Sequence, residues 1–348
     1  MKEEPVSPNA AEVGDALRGI LERHCVPGLP IVALEQQPSA YRSSFPLEEI
    51  RVVLSNGTVL DIILKSLNRQ LLSDAVQQAK PEFLYNPLRE IETYQTFLAQ
   101  HQEALGTARC LGAVVDADTE RYWLFLEKVP GDELYKIGEF STWESVARWL
   151  ARMHQKFASQ IANPASPSPH WLRYSAEYYR NWLRRAQESS QRTALSHPSA
   201  VRRGIARIAR HYDRVVERLT ALPVTFLHGE FYASNVLIAR GSNGLRVCPI
   251  DWEMAAVGSG LVDLAALVSG RWTDAQRTAM ALAYFGSLTD ENVVAPRHQE
   301  TFLSALDDCR LHLAVQWLGW SDHWSPPPEH AQDWLVEALD VAEKVGCL

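Results

Sequence analysis

Short apolar runs dominate the first third of the chain and predict a strand-rich region. These runs occur at 31–34, 50–54, 59–65, 113–115 and 122–126. The second and third flank Ser55-Asn56-Gly57-Thr58, and Asn-Gly between two β-branched runs is the strongest short-range signal of a β-hairpin. Between Pro87 and Gln100 the apolar residues recur instead at helical spacing. The predicted order up to about Val129 is therefore strands, one helix, then further strands.

Helical periodicity dominates after Pro130-Gly131. Ser141-Thr142-Trp143-Glu144 has the form of a capping box, which predicts that a helix begins at Ser141 and runs through His154. Longer helices are predicted around 172–187 and 201–222, and again from Leu261 to the C-terminus with a break at Pro326–Pro328. Brief strands are predicted at 225–227, 236–239 and 245–250.

This order of elements predicts an α+β protein with two lobes. A chain of 348 residues is too long for one small core and is typical of two domains. We place a β-rich N-lobe at residues 1–127 and a mostly helical C-lobe at residues 128–348, joined by a linker near Glu127–Gly131.

Composition and charge narrow the classes of partner. The net charge of −8 argues against nucleic-acid binding, which requires a basic face. The five cysteines are scattered without CxxC spacing, which argues against a disulfide framework or a zinc site. The segment Met1–Pro5 is polar, and no apolar run reaches membrane-spanning length. We expect a cytoplasmic protein without a membrane partner, either a monomer or a homodimer.

The segment from His228 to Glu253 carries the candidate chemistry. It contains His228-Gly229-Glu230, then Asn235 five residues after Glu230, and Asp251 sixteen residues after Asn235 at the end of an apolar run. Phosphoryl transfer needs a carboxylate that orients the acceptor hydroxyl, together with oxygen ligands for Mg²⁺. Two carboxylates and an Asn in this order meet that need.

This segment resembles the aminoglycoside phosphotransferase and choline kinase-like family. The family pattern is His-Gly-Asp-x-x-x-x-Asn followed by Asp-Trp-Glu, and the chain has His228-Gly229-Glu230-x-x-x-x-Asn235 and Asp251-Trp252-Glu253. The similarity continues into Gly258-x-x-x-x-Asp263-Leu264-Ala265 and covers roughly residues 50–267. The chain departs from the pattern at Glu230, where the family usually has Asp. The resemblance implies a protein-kinase-like fold with a small antiparallel N-lobe sheet and a larger helical C-lobe.

The resemblance also implies roles for individual residues. Glu230 corresponds to the catalytic carboxylate, and Asn235 and Asp251 correspond to the ligands of Mg²⁺. His228 and Asp263 correspond to residues that support the catalytic loop without touching substrate.

The resemblance places ATP or GTP on the N-lobe. Lys65, at the end of a predicted strand, corresponds to the lysine that contacts the phosphates. Glu90 fits the position of its acidic partner better than Glu92 does. Ser43 and Ser44 lie in a polar loop, residues 39–45, which is a candidate cover for the nucleotide or simply a surface loop. Glu127 and Val129 lie in the expected interlobe hinge, where backbone groups contact the base.

The acceptor substrate is the least determined part of this hypothesis. Aromatic and acidic residues cluster near the end of the chain and would suit a cationic or sugar-like acceptor: Trp317, Trp320, Asp322 and Trp324. The same residues are also consistent with a core helix that has an aromatic C-terminal end. Antibiotics, choline-like amino alcohols and sugars all remain candidates, and the acidic net charge favours a cationic antibiotic such as an aminoglycoside or a peptide antibiotic.

Two other functions are alternatives to a small-molecule phosphotransferase. A nucleotide-binding pseudokinase is suggested by Glu230, because one extra methylene displaces the carboxylate and a misplacement of ~1 Å can cost ~10²-fold in rate. A protein kinase is disfavoured, because Gly258 follows Asp251 too closely for a peptide-docking activation segment. The leading hypothesis is a small-molecule O-phosphotransferase.

Overall fold

The computed structural model describes most of the chain as two compact units. The described residues are 8–24, 27–39, 41, 44–72, 74–161, 168–192, 198–241, 244–289, 293–320 and 332–348. One unit comprises Met1–Gly131 together with Leu237–Glu253, and the other comprises Asp132–Val236 together with Met254–Leu348. Within the described residues, no helix combines the length and the apolarity that a membrane span requires.

The first unit is built on an antiparallel sheet with the strand order β1-β2-β3-β5-β4. Its strands are β1 (Ile31–Pro38), β2 (Leu47–Leu54), β3 (Val59–Ser66), β4 (Cys110–Asp116) and β5 (Arg121–Glu127). Its helices are α1 (Ala10–His24), α2 (Asp74–Ala79), α3 (Pro87–Glu92) and α4 (Gln102–Leu105). Strands β9 (Val236–Gly241) and β10 (Gly244–Pro249) lie side by side, and β10 leads into Asp251.

The predicted hairpin is confirmed. β2 and β3 pair in antiparallel register, with Ile50 opposite Ile62, and Gly57 in the turn has a φ of +86°. A side chain other than hydrogen is strained at such a φ, which explains the glycine.

Helix α1 is an element that the strand-rich prediction for this region missed. Val13, Leu17 and Ile20 are at most 1 % exposed and lie in one core with alternate residues of β2 and β3. This spacing is helical, so the signal was present in the sequence. Because α1 covers one face of the sheet, the odd-numbered residues of β3 point to the opposite face. Lys65 is one of them.

The predicted helix from Pro87 to Gln100 is only partly regular. Helix α3 ends at Glu92, and a π-helical segment (Thr93–Leu98) and a 3₁₀ turn (Ala99–His101) continue the chain. Asn86 caps α3 by accepting a hydrogen bond from the Leu88 backbone N–H, and Pro87 occupies the first helical position.

The second unit is mainly helical. Its helices are α5 (Phe140–Ile161), α6 (Ala176–Arg192), α7 (Pro198–Ala209), α8 (Tyr212–Thr220), α9 (Leu261–Leu267), α10 (Asp274–Phe285), α11 (Gln299–Leu318) and α12 (Trp334–Lys344). Helix α11 packs against α6, α9 and α12, and α5 packs against α10. Strand β6 (Asp132–Glu133) lies at the start of this unit. Short strands β7 (Leu172–Arg173), β8 (Thr225–Leu227) and β11 (Ala256–Gly258) form a small sheet in the order β7-β11-β8.

Three sequence predictions for this unit were wrong. Ser141 does not cap α5, because the helix begins one residue earlier and the Thr142 N–H donates to the carbonyl of Glu139. The helix predicted from Leu172 begins at Ala176, because Leu172 pairs with Ala256 in the small sheet. The helix predicted across 201–222 is two helices, interrupted at His211, whose φ of −124° is not helical.

Candidate active site

Lys65 is the centre of a buried charge cluster in the first unit. Its Nζ lies 2.6 Å from Glu90 Oε2 and 2.6 Å from Asp251 Oδ1, and its side chain is only 4 % exposed. Burial by itself lowers the pKa of the ammonium. The carboxylates of Asp251, Glu90 and Glu253 outweigh this effect and raise the pKa above its usual value, so the lysine is charged. Lys65, Glu90 and Asp251, which were all predicted for this site, therefore lie together.

Glu90 is held in the first turn of α3. Its Oε1 accepts a hydrogen bond from the Trp252 backbone N–H at 3.1 Å, in addition to the ion pair with Lys65. Burial raises the pKa of Glu90 to about 7, while the charge of Lys65 opposes the rise and that of Asp251 adds to it. One ammonium is thus shared by the two carboxyl groups.

Asp251 has a strained backbone at the end of β10. Its φ is +65°, which non-glycine residues seldom adopt. Such a conformation costs on the order of 1–3 kcal/mol and persists only where the surroundings hold it. The side chain is 20 % exposed, whereas that of Glu90 is 2 % exposed. Asp251 is therefore the carboxylate of this pair that is accessible to a ligand.

In the second unit, Asp263 organises the loop that follows β8. It is fully buried, and it accepts hydrogen bonds from the backbone N–H groups of His228 at 2.7 Å and Gly229 at 2.9 Å. Gly229 has a φ of +86°, and a Cβ on it would lie 2.2 Å from the carbonyl oxygen of Met254. Only glycine fits this position. Asp263, which was predicted to support this loop, thus contacts the loop through its backbone.

The loop places Glu230 and Asn235 in one short turn. The Asn235 Nδ2 donates to the carbonyl of Glu230 at 3.0 Å, and the Asn235 N–H donates to the carbonyl of Tyr232 at 2.9 Å. Because the amide nitrogen is used within the loop, Oδ1 is the atom of Asn235 suited to a cation. The backbone N–H of Glu230 lies 3.3 Å from His228 Nδ1. Glu230 itself is half-buried.

The side chain of Glu127, a residue predicted for the hinge, makes its contacts within the first unit. Its two carboxylate oxygens lie 2.8 and 3.0 Å from the guanidinium of Arg246, and it also accepts the N–H of Arg109 at 3.0 Å. Val129 is 6 % exposed. Ser44 is half-buried, directly before the buried Phe45. Ser43 lies outside the described residues.

The aromatic residues near the end of α11 form part of a ring cluster in the second unit. Trp317 stacks on Trp334 at 5.0 Å and meets Tyr232, two residues after Glu230, at 5.5 Å between ring centroids. Trp320 packs against Trp182 at 5.4 Å. Asp322 and Trp324 lie outside the described residues.

Asp251 and Asn235 offer the types of donor atom that Mg²⁺ prefers. A carboxylate oxygen and a neutral amide oxygen are hard ligands, and Mg²⁺ in phosphotransferases takes only one or two protein carboxylates beside phosphates and water. Among the described residues, no group of three or more His, Cys, Asp and Glu side chains is arranged to hold a metal.

Comparison with known proteins identifies the family. The model of the phosphotransferase enzyme family matches residues 72–297, which is more than half of the chain. The chain belongs to this family. This result confirms both the predicted resemblance and the predicted enzyme class, a small-molecule phosphotransferase.

Solved structures confirm the protein-kinase-like α+β fold of this phosphotransferase. It superposes on choline kinase from Cryptosporidium parvum with a TM-score of 0.59 at 13 % identity, covering 96 % of this chain and 97 % of the other. A microcompartment-associated aminopropanol kinase gives 0.54 at 15 % identity, covering 96 % and 95 %. The GDP complex of an aminoglycoside 2'-phosphotransferase-IIIa mutant gives 0.51 at 12 % identity, covering 96 % and 97 %. No curated protein matches this sequence significantly.

A buried histidine of the second unit was not predicted from the sequence. His154 on α5 is fully buried, with Nε2 at 3.2 Å from Asp263 Oδ2 and Nδ1 at 2.9 Å from the Tyr284 hydroxyl. A Cβ on Gly260 would lie 2.5 Å from its Nδ1. The sequence signal for this residue was a histidine among the apolar positions of an amphipathic helix.

Three cations of the first unit were also missed. Each pairs with a group far away in sequence: Lys80 with the Glu253 carboxylate, Arg89 with the Glu253 carbonyl, and Arg246 with Glu127. No local pattern marks them.

Proposed function

We propose that this phosphotransferase moves the γ-phosphoryl group of ATP or GTP to a hydroxyl group of a small molecule. The observation that carries the proposal is the Lys65 cluster: a buried ammonium shared by Glu90 and Asp251, with Asp251 held at positive φ. Strain of this kind concentrates at functional sites. A buried, charged lysine beside an accessible carboxylate suits the binding of a polyphosphate and its counter-ion.

The division of labour follows from the chemistry of each side chain. Lys65 neutralises phosphate charge, and Glu90 fixes the lysine. Asp251 and Asn235 would hold Mg²⁺, which when bound neutralises negative charge on the phosphates.

Glu230 accepts a hydrogen bond from the attacking hydroxyl and orients it. A phosphoryl transfer with a loose transition state does not depend on proton abstraction by a strong base, so Glu can serve where the family usually has Asp. His228 and Asp263 keep the loop in place and need not contact substrate.

For the acceptor, we propose a small cationic alcohol. The net charge of −8 supports a cation. Tyr232, Trp317 and Trp334 are only 5–8 % exposed and pack on one another, so this aromatic cluster is part of the core and does not distinguish between acceptors. A compact amino alcohol is one candidate. An aminoglycoside or a peptide antibiotic is the other candidate. Its several ammonium groups would require protein carboxylates around the bound acceptor.

An ADP-release assay on purified protein tests the proposal. The panel contains amino alcohols, aminoglycosides, peptide antibiotics and sugars, each with ATP or GTP and Mg²⁺. We expect transfer to at least one acceptor, and loss of at least ~10³-fold in rate in Asp251→Ala. Asp118→Ala, an exposed aspartate in the β4–β5 turn, is the matched control and should keep full activity.

Two results would contradict parts of the proposal. Nucleotide binding without transfer to any member of the panel would support the pseudokinase instead. Unchanged turnover in Asp251→Ala would refute the role given to this carboxylate.

A further inference from the structure

Lys80 forms a second desolvated ion pair in the first unit, next to the Lys65 cluster. It follows α2 directly, and its Nζ lies 2.7 Å from Glu253 Oε2. The two side chains are 8 % and 10 % exposed. Desolvation of two charges offsets most of their attraction, so a buried pair of this kind is weak evidence for a stabilising role. Its position in the fold is more informative.

Glu253 belongs to the short segment that begins with Asp251. Each residue of this segment is held by a different group from residues 65–90. Lys65 pairs with the Asp251 carboxylate, and Glu90 accepts the Trp252 N–H. The third residue is held twice, since Lys80 pairs with its carboxylate and Arg89 donates to its carbonyl at 2.7 Å.

The backbone at Asp251 requires such restraint. A non-glycine residue at φ +65° persists only when surrounding contacts over-determine its conformation. Lys65 and Glu90 act on the first two residues of the segment, and Lys80 with Arg89 fixes its far end. Release of that end would let the turn relax and displace the Asp251 carboxylate.

Phe45 lies close to both lysines. The Nζ of Lys80 is 5.1 Å from the centroid of its ring, and that of Lys65 is 5.8 Å away. The ring is 4 % exposed and attracts both ammonium groups. The two ion pairs assign one lysine to each end of the segment, Lys65 to Asp251 and Lys80 to Glu253, and the same ring lies beside both.

We propose that Lys80 is a positioning residue for phosphoryl transfer, and that its ion pair with Glu253 fixes the turn that presents the Asp251 carboxylate. This inference rests on the proposed function. It assigns to Lys80 no contact with substrate. It predicts that loss of the pair lowers the turnover and the metal affinity of a correctly folded protein.

Three variants separate positioning from stability: Lys80→Met, Glu253→Gln, and the double variant. Each single change leaves one buried charge without its partner and should lower the urea midpoint of unfolding. The double change removes both charges, so its midpoint should return toward that of the wild type. If the pair positions Asp251, kcat should fall ~10²-fold in all three variants, because residues that act as a unit are not additive.

Metal binding provides a readout that needs no acceptor. Mn²⁺ titrated into the ADP-bound protein and followed by electron paramagnetic resonance should show a Kd raised about tenfold in Lys80→Met and in the double variant. The affinity for ADP without metal should stay unchanged. Lys80→Arg should restore part of both kcat and Mn²⁺ affinity. Lys136→Met, at a half-exposed lysine of the second unit, is the control and should match the wild type.

The possible outcomes are distinct. A double variant that regains both its urea midpoint and wild-type kcat and Mn²⁺ affinity would overturn the positioning role and leave the proposed function intact. A wild-type protein that neither transfers phosphate nor binds Mn²⁺ with ADP would overturn the proposed function, and this inference with it. A folded double variant with impaired Mn²⁺ affinity supports the inference even before an acceptor is known.

Discussion

Substitution of Gly229 by alanine tests the structure of the catalytic loop most directly. Gly229 and Gly57 have the same φ of +86°, but their surroundings differ. A Cβ on Gly57 meets nothing within 4 Å, whereas a Cβ on Gly229 would lie 2.2 Å from the Met254 carbonyl oxygen and 2.9 Å from its Cβ. Gly57→Ala therefore measures the backbone strain alone, and Gly229→Ala measures strain plus collision.

The two contributions have different magnitudes. An L-residue in the left-handed region costs roughly 1–2 kcal/mol, which is the expected loss of unfolding free energy in Gly57→Ala. Since real Cβ atoms do not approach other heavy atoms within 3.0 Å, Gly229→Ala requires a shift of at least ~0.8 Å. Overpacking adds about 1–3 kcal/mol, so the total loss should be about 2–5 kcal/mol.

The same shift should impair catalysis. Asp263 accepts a hydrogen bond from the Gly229 N–H at 2.9 Å, and Glu230 is the next residue, so the collision should move the carboxylate that we propose orients the acceptor. A displacement near 1 Å can lower the rate ~10²-fold.

Urea unfolding curves and the ADP-release rate, measured on both variants, check the prediction. We expect a large loss of kcat in Gly229→Ala and none in Gly57→Ala. Equal stability and equal kcat in the two variants would refute the geometry described for the loop.

Three further predictions concern single side chains. Glu230→Gln should lower kcat by less than about tenfold if the carboxylate mainly orients the hydroxyl, whereas a loss near 10³-fold would show that its charge is required. Measurement of kcat for the wild type and the variant distinguishes the two roles. Lys65→Met should lower kcat/KM for the nucleotide ~10²–10³-fold, and an unchanged value in steady-state assays would contradict its phosphate role. His312 is fully buried and burial lowers its pKa to about 3, so it stays neutral in the folded state while it takes up a proton in the unfolded state below about 6.5. Its contribution to stability is present above pH 6.5 and is lost as the pH falls toward 3. Between pH 7 and 5 the wild type should therefore lose ~2 kcal/mol more unfolding free energy than His312→Gln does. Unfolding free energies from urea curves that fall in parallel for the two proteins would disprove this.

Much of the site was predictable because its residues are close in sequence. His228, Glu230 and Asn235 lie within one loop, and the spacing to Asp251 carried the family resemblance. The hairpin that ends in Lys65 was predicted correctly from Asn56-Gly57, since turn chemistry acts over a few residues. Such local determinants fix which residues are the candidates for the chemistry.

Other features depend on packing and were not predictable locally. Helix α1 was missed because the strand pattern of the region outweighed its short amphipathic stripe. The break at His211 and the pairing of Leu172 with Ala256 arise from neighbours distant in sequence. Tertiary contacts of this kind override local propensity.

The sequence by itself determined the family and the motif, and it predicted which side chains are the candidates for the chemistry. Only the tertiary structure decided which charges meet: Lys65 is 25 residues from Glu90 and 186 from Asp251 in the chain, yet both carboxylates lie 2.6 Å from its ammonium. It also decided that Asp251 is strained and that Lys80 holds Glu253. The physical reason is that a buried charge must find a partner wherever the fold brings one, and that partner need not be near in sequence.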